Sequence, residues 1–238
     1  MLDKSVPFYN LILKCVRPPT LDIRMPPGFS LRPYQDGDGS SWAALEYAVG
    51  DFDSQDDAHA YFLRTYGRHA EALRRRCVIA ISPDGRPVGS CIAWWDRRTD
   101  AFVPSLHWLV VDPDFQRNGL GRALCLEAMR IFRLAGEYPV YLHTQPWSYA
   151  AILLYADLGF RLQKTDTFAG YENQYEEGMH VLRTLLSPCQ SRKGRFLTEN
   201  ALFATFFGCF TSAHSSSTDT TPSVACTHCS KSLILHLL

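Results

Sequence analysis

Between Val111 and Arg122 the chain reads Val-Asp-Pro-Asp-Phe-Gln-Arg-Asn-Gly-Leu-Gly-Arg, residue types and spacing that suit a phosphate-binding turn. Two glycines separated by one residue, just ahead of an amphipathic helix, leave a run of backbone N–H groups uncovered. Those groups and the positive end of the helix dipole attract phosphate oxygens. The loop is Gln116, Arg117, Asn118, Gly119, Leu120 and Gly121, and Arg117 and Arg122 add positive charge at its rim. It is not the dinucleotide fingerprint, which needs a third glycine and an acidic residue about 20 positions on, nor a P-loop, because no Gly-Lys-Ser/Thr follows. Glycine spacing alone fits equally well a plain strand–turn–helix connection in which Gly119 and Gly121 permit close packing.

Titratable residues flank this loop. In a strand ending at Val111, positions 105, 107, 109 and 111 alternate to one side, which puts the His107 imidazole on the same side as Val111. Imidazole titrates near neutral pH and suits proton removal from an amine through water; a structural histidine bonded within the sheet is the rival. His143, in Tyr141-Leu-His-Thr-Gln145, can fill the same role from a neighbouring strand or simply pack. Asp51, Asp53, Asp56 and Asp57 form an acidic loop able to attract an ammonium group, though solvated carboxylates at a helix start explain it as well. Trp94 and Trp95 straddle one strand, so one faces the core and the other is free to wall a pocket. Cys226-Thr-His-Cys229 lacks the full ligand set of a structural zinc site, and no metal is expected.

The elements that must position these residues read as an alternation of strands and helices over residues 29–186. Phe29 opens a short strand; Gly39–Val49 and Gln55–Tyr66 are helical, the second capped by Ser54 or Asp53. Cys77–Ile81, a Pro83-Asp84-Gly85 turn and Val88–Trp95 form a hairpin, and Leu106–Val111 is a third strand. Leu120, Leu124, Ala128 and Ile131 share one face of a helix that ends before Gly136. Val140–His143 is a strand, Ser148–Leu158 a helix, and Phe160–Gln163 and Gly178–Thr184 are expected to close the sheet. The order β-α-α-β-β-β-α-β-α-β-β is an α/β pattern with a mixed sheet. Residues 1–28, dense in proline at Pro18-Pro19 and Pro26-Pro27, are expected to run extended as a lead-in, without helix or central strand. Residues 187–238 read as a disordered tail, because nine of the thirteen positions from Thr211 to Ser223 are Ser or Thr.

Composition bounds the function classes. Lys plus Arg and Asp plus Glu both total 24, so formal neutrality gives no electrostatic reason to expect nucleic acid or an anionic membrane as partner. Scattered cysteines, the lack of a signal-peptide pattern and the lack of a run near 20 apolar residues point to a reduced, cytoplasmic protein.

The signature Val111-x-Pro113-x-x-Gln116-x-x-Gly119-x-Gly121, with Ser148-x-x-Ala151-x-x-Leu154-Tyr155-x-x-x-Gly159-Phe160 at the right distance after it, resembles the GNAT superfamily of N-acetyltransferases. The resemblance implies a mixed, mostly antiparallel sheet whose central strands splay apart, flanked by helices. It implies acetyl-CoA as co-substrate, its pyrophosphate on the Gln116–Arg122 loop and its pantetheine arm paired with the backbone of Leu109, Val110 and Val111. A backbone N–H near Val110 or Val111 becomes the oxyanion donor, and Tyr155 the acid that protonates the departing sulfur; a core aromatic is the other reading of Tyr155. The second segment departs from the family in having Ser148 where Asn usually bonds the pantetheine; Ser148 can do so with shorter reach, or cap the helix. The implied reaction moves an acetyl group to a primary amine of a small molecule or peptide. The alternative is a silent acyl-CoA-binding module whose tail recruits a partner.

Overall fold

In the computed structural model, which describes residues 3–98 and 101–186, seven strands form one sheet in the order β2-β3-β4-β5-β6-β1-β7. Strands β2 (Ser30–Pro33), β3 (Cys77–Ile81), β4 (Pro87–Arg98) and β5 (Ala101–Val111) are antiparallel neighbours. Strands β6 (Val140–Thr144), β1 (Leu11–Cys15) and β7 (Arg161–Leu162) form a second antiparallel set. The two sets meet in parallel at Ser105 and Tyr141, the pair that joins β5 to β6. Beyond it no pairing joins Leu106–Val111 to β6 among the described residues, so the sheet opens at its centre.

Helices cover both faces. Helices α1 (Asp38–Val49), α2 (Gln55–Tyr66) and α3 (Ala70–Arg76) lie on one face, where Trp42, Phe62, Tyr66 and Leu73 pack on Ile79, Ile92 and Trp94. Helices α4 (Leu120–Ala135), α5 (Tyr149–Asp157) and α6 (Tyr175–Leu185) lie on the other, where Leu124, Ala128 and Phe132 meet Val78, Ala80, Cys91 and Ala93. The 3.6-residue spacing of Leu124, Ala128 and Phe132 gives α4 its buried stripe, and Gly136, at φ 69°, ends it in the left-handed region. Ser54 caps α2 by accepting from the Asp57 N–H, as its place before the acidic first turn predicts.

Two expectations are corrected. The lead-in contains β1, a central strand buried on both faces: Leu13 and Cys15 enter the α4-side core, and Ile12 meets Tyr141 and Phe168 on the other side. Pro7 lies before Leu11 and the other prolines lie after Cys15, so none interrupts its ladder. Residues 178–184 are not a strand but the body of α6, whose Tyr175, Met179 and Leu182 recur at helical spacing and pack with Leu11 and Ile152. Helix α3 was missed as well. The proposed tail, including Cys226 and Cys229, lies outside the described residues.

Candidate active site

The site begins with an irregularity in β5. Between the pairs Ser90–Val110 and Ile92–His107, β4 supplies Cys91 alone while β5 supplies both Trp108 and Leu109. Trp108 absorbs the extra residue with φ 47°, the left-handed conformation that bulges favour. The bulge corrects the simple alternation expected for this strand. His107 reaches Tyr66, Trp108 packs on Trp42 and Tyr61, and Val110 packs on Leu45 and Val49, all on the α1–α2 face. Leu109 and Val111 instead join the α4-side core, so His107 and Val111 point to opposite faces. The unpaired backbone at the bulge borders the opening between β5 and β6.

Below the opening, on the α4 side, stands the glycine loop. Gly119, at φ 85°, is the residue before α4, and a β-carbon built on it would meet nothing within 4 Å. Gly121 matters for packing instead. A β-carbon there would touch Val111 and Leu154 at 3.8 and 3.9 Å, so this residue sets how α4 lies on β5 and α5. Leu120 is buried in the core. The N–H groups of Leu120, Gly121 and Arg122 fall in the first turn, where helix geometry provides no intrahelical acceptor. Gln116 donates through Nε2 to the Val111 carbonyl at 3.0 Å and Asn118 to the Phe115 carbonyl at 3.3 Å, so both side chains brace the turn. Arg117 holds the second left-handed residue of the loop, at φ 67°, and Arg122 is ion-paired with Asp157. Ser148 precedes α5 but makes no side-chain cap; its hydroxyl accepts from Gln145 Nε2 at 3.1 Å.

Tyr155 lies on α5 in the same core as Cys125 and Cys91, its ring tilted against Phe160. Burial pushes its phenol well above the ordinary range, and the Cys125, Cys91, Glu46 and Asp51 groups push the same way. A phenol so placed stays protonated. Glu46 and Asp51 belong to the α1 side, so Tyr155 senses charge across the β5–β6 opening.

The opposite face carries a pinned histidine. The His107 Nδ1 lies 2.7 Å from the Tyr66 hydroxyl, and Nε2 faces Asp96 Oδ2 at 2.7 Å, with the Ser105 hydroxyl 2.9 Å away. Ser105 donates to the same Asp96 oxygen at 2.8 Å. Burial raises the Asp96 carboxyl, but the His107 ring and Ser105 more than offset it and hold it below the usual range. Both ring nitrogens of His107 therefore face a partner. His143 stacks on Tyr171 with ring centroids 4.0 Å apart and faces Asn10 Oδ1 at 2.7 Å. Burial lowers its pKa to about 4. In the acidic loop, Asp53, Asp56 and Asp57 remain exposed at the start of α2, while Asp51 approaches Glu46. Trp94 is buried against Tyr66, Trp95 carries the Arg76 guanidinium over its ring at 3.7 Å, and both line a hollow with His69, Ala72 and Phe102.

Sequence reasoning missed Asp96, Tyr66 and Glu46. Asp96 shares strand parity with Ile92 and Trp94, a charge at an inward position. Glu46 lies within the apolar stripe of Trp42, Leu45 and Val49 on α1, the same signal in helical form.

The splayed mixed sheet stands over a glycine turn that leads into α4. The chain belongs to the Acetyltransferase (GNAT) family, whose family model matches residues 41–160. It is similar to mycothiol acetyltransferases from Nocardiopsis dassonvillei, 37% identical over 83 residues, and Saccharomonospora viridis, 37% identical over 76 residues. The matched stretches cover 35% and 32% of this chain but 21% and 23% of those proteins. The fold resembles a GCN5-related N-acetyltransferase from Sphaerobacter thermophilus, with TM-score 0.51 and 20% identity over 66% of this chain and 49% of that one.

Proposed function

We propose that this protein transfers the acetyl group of acetyl-CoA to a primary amine of a small molecule or a peptide. The observation that carries the reading is the open space beside Gly119, at the positive end of α4 and directly below the β5–β6 opening. Pyrophosphate oxygens take the N–H groups of Gly119 to Arg122, with Arg117 and Arg122 at the rim. The pantetheine arm runs up the opening along Leu109–Val111, where β5 lacks a partner strand, and Ser148 lies beside it. The N–H groups freed by the bulge face the thioester oxygen as it gains charge. The amine nitrogen forms a bond to the carbonyl carbon, the oxyanion collapses, the C–S bond breaks, and Tyr155 donates its proton to the thiolate. His107, fixed by Asp96 and Tyr66, holds the acceptor side of the opening in shape and acts as a positioning residue.

Thermal unfolding tests the cofactor assignment. Acetyl-CoA at millimolar concentration raises the midpoint of the native protein by mass action. Gly119→Asp abolishes that shift, because a carboxylate then occupies the phosphate position. A midpoint unmoved by acetyl-CoA in the native protein removes the assignment.

A further inference from the structure

A hollow of about 480 Å³ lies beside the far half of β4, lined by His69, Ala72, Trp94, Trp95 and Phe102. Its volume falls within the range of small-molecule sites, about 300–1,000 Å³. The hollow follows from a mismatch in strand length. Strand β3 begins at Cys77, opposite Ile92, so residues 93–98 of β4 run on without it. Helix α3 packs there instead, and its last residue, Arg76, donates through Nε to the Ala93 carbonyl. Ala72 of the same helix lines the space with a single methyl group and leaves it unfilled. None of the lining residues belongs to Leu109–Arg122 or to α5.

The rings around this space are held in place by their neighbours. Trp94 and Trp95 lie 5.5 Å apart by ring centroid, tilted by 51°. Tyr66 stands edge-on to Trp94 at 5.0 Å, and the His69 ring does so at 5.9 Å. Arg76 stacks on Trp95, and Glu137 accepts both from that guanidinium and from the Trp95 Nε1–H, the latter at 3.1 Å. The walls are therefore preorganised, and a ligand that enters does not have to order them first. Phe102 is 69% exposed, a large aromatic surface left to water beside an apolar space.

Charge narrows what fits. Among the described residues lining the hollow there is no carboxylate, lysine or arginine. Two guanidinium groups stand next to it, Arg76 over Trp95 and the exposed Arg97 at 5.8 Å from the Phe102 ring centroid. Each of these rings thus already carries a cation, and a further one between them meets like charge.

We propose that this hollow binds a flat aromatic molecule, uncharged or anionic, at a site separate from the acetyl-CoA opening. The ligand's rings bury apolar surface against the two indoles and Phe102, in offset or edge-on contact. An anionic substituent lies toward Arg97. Ammonium compounds are disfavoured, so the ligand is not the acceptor amine. None of the five lining residues takes part in acetyl transfer, so the site stands whether or not that reading holds.

Anilinonaphthalene sulfonate, an aromatic anion whose fluorescence rises in apolar surroundings, is the probe. It is titrated into the full-length protein at millimolar acetyl-CoA, which keeps it from the opening, and is expected to bind saturably. Ala72→Trp fills the hollow and weakens that binding by about tenfold or more. Phe102→Ser, at an exposed position where the fold is not at stake, weakens it by about threefold to tenfold. A native circular dichroism spectrum verifies each variant, and Phe102→Ser decides alone if Ala72→Trp does not fold. Naphthoate displaces the probe from the native protein, whereas naphthylmethyl-trimethylammonium at the same concentration does not. Probe binding that is absent from the native protein, unchanged in the folded variants, or displaced equally well by the cation overturns the proposal.

Discussion

At the scale of single residues, a phenol, an imidazole and a carboxyl divide the proton chemistry by their surroundings. Burial keeps Tyr155 protonated, which suits a donor to a thiolate. Tyr155→Phe is expected to lower kcat by roughly ten- to a thousandfold with acetyl-CoA affinity nearly intact, measured by initial rates and calorimetric titration. A fall in melting midpoint without a fall in kcat would make Tyr155 a core aromatic alone. His107 behaves differently because Asp96 and Tyr66 occupy both its nitrogens. His107→Gln is expected to raise the acceptor KM severalfold and leave the acidic limb of the kcat/KM profile in place. An acidic limb that vanishes with His107 would make the histidine the base. Glu46 carries a stability signature too. Burial, then the nearby Asp51 carboxylate, raises its pKa well above the ordinary 4.5, so the folded state holds a proton over a pH range in which the unfolded carboxyl has lost it. Its contribution to stability is present below the unfolded pKa and declines as pH rises above it. Glu46→Gln, which needs no proton, is therefore expected to melt higher than the native protein at pH 7 and to lose that advantage near pH 4.

At the scale of elements, the contact between α6 and β1 offers a test of packing. A β-carbon on Gly178 would lie 2.7 Å from Cδ2 of Leu11, and Leu11 is fully buried and unable to swing aside. Alanine there gains up to about 1 kcal/mol in helix propensity but overpacks a closed site, an effect of about 1–3 kcal/mol in the other direction. Gly178→Ala is expected to lower stability in urea unfolding; a gain would mean α6 sits further from the sheet. This contact explains why the sequence misled at the chain's two ends. Leu11–Cys15 is five residues with no turn signal beside it, and its place between β6 and β7 comes from pairing with strands more than a hundred residues away. In 178–184, a glycine and an alternation across four residues resembled a strand, while the helical spacing became clear only from Tyr175 onward. By contrast α4, the β3–β4 hairpin and α2 were legible because caps, turn residues and periodicity agreed locally. The glycine loop was legible for the same reason. The bulge was not: Trp108 carries no local mark of a left-handed residue, and one extra residue reversed the faces of everything after His107.

For the whole molecule, buried titratable groups shape stability against pH. Burial lowers His143 from 6.5 to about 4, with His107 acting in the same direction and Asp96 against it. The unfolded chain therefore binds a proton near pH 6.5 that the folded chain refuses until about pH 4. Stability is full above 6.5, falls as pH drops between these values, and levels off below. The expected loss is roughly 3 kcal/mol, and His143→Phe, which keeps the stack on Tyr171, should flatten that part of the curve. A native curve already flat from pH 7 to 4 would mean His143 is solvated. Among the described residues no helix is long and apolar enough to cross a membrane.

The central claim is that the opening between β5 and β6 carries acetyl-CoA and delivers its acetyl group to an amine. Release of free CoA thiol, followed with a thiol reagent while primary amines and peptides with free N-termini are varied, tests it most directly. The account predicts amine-dependent release that matches N-acetylated product one for one and disappears in Gly119→Asp. Release no faster with amines than without them, in a protein whose melting midpoint acetyl-CoA does raise, would contradict it and leave a binding module without turnover.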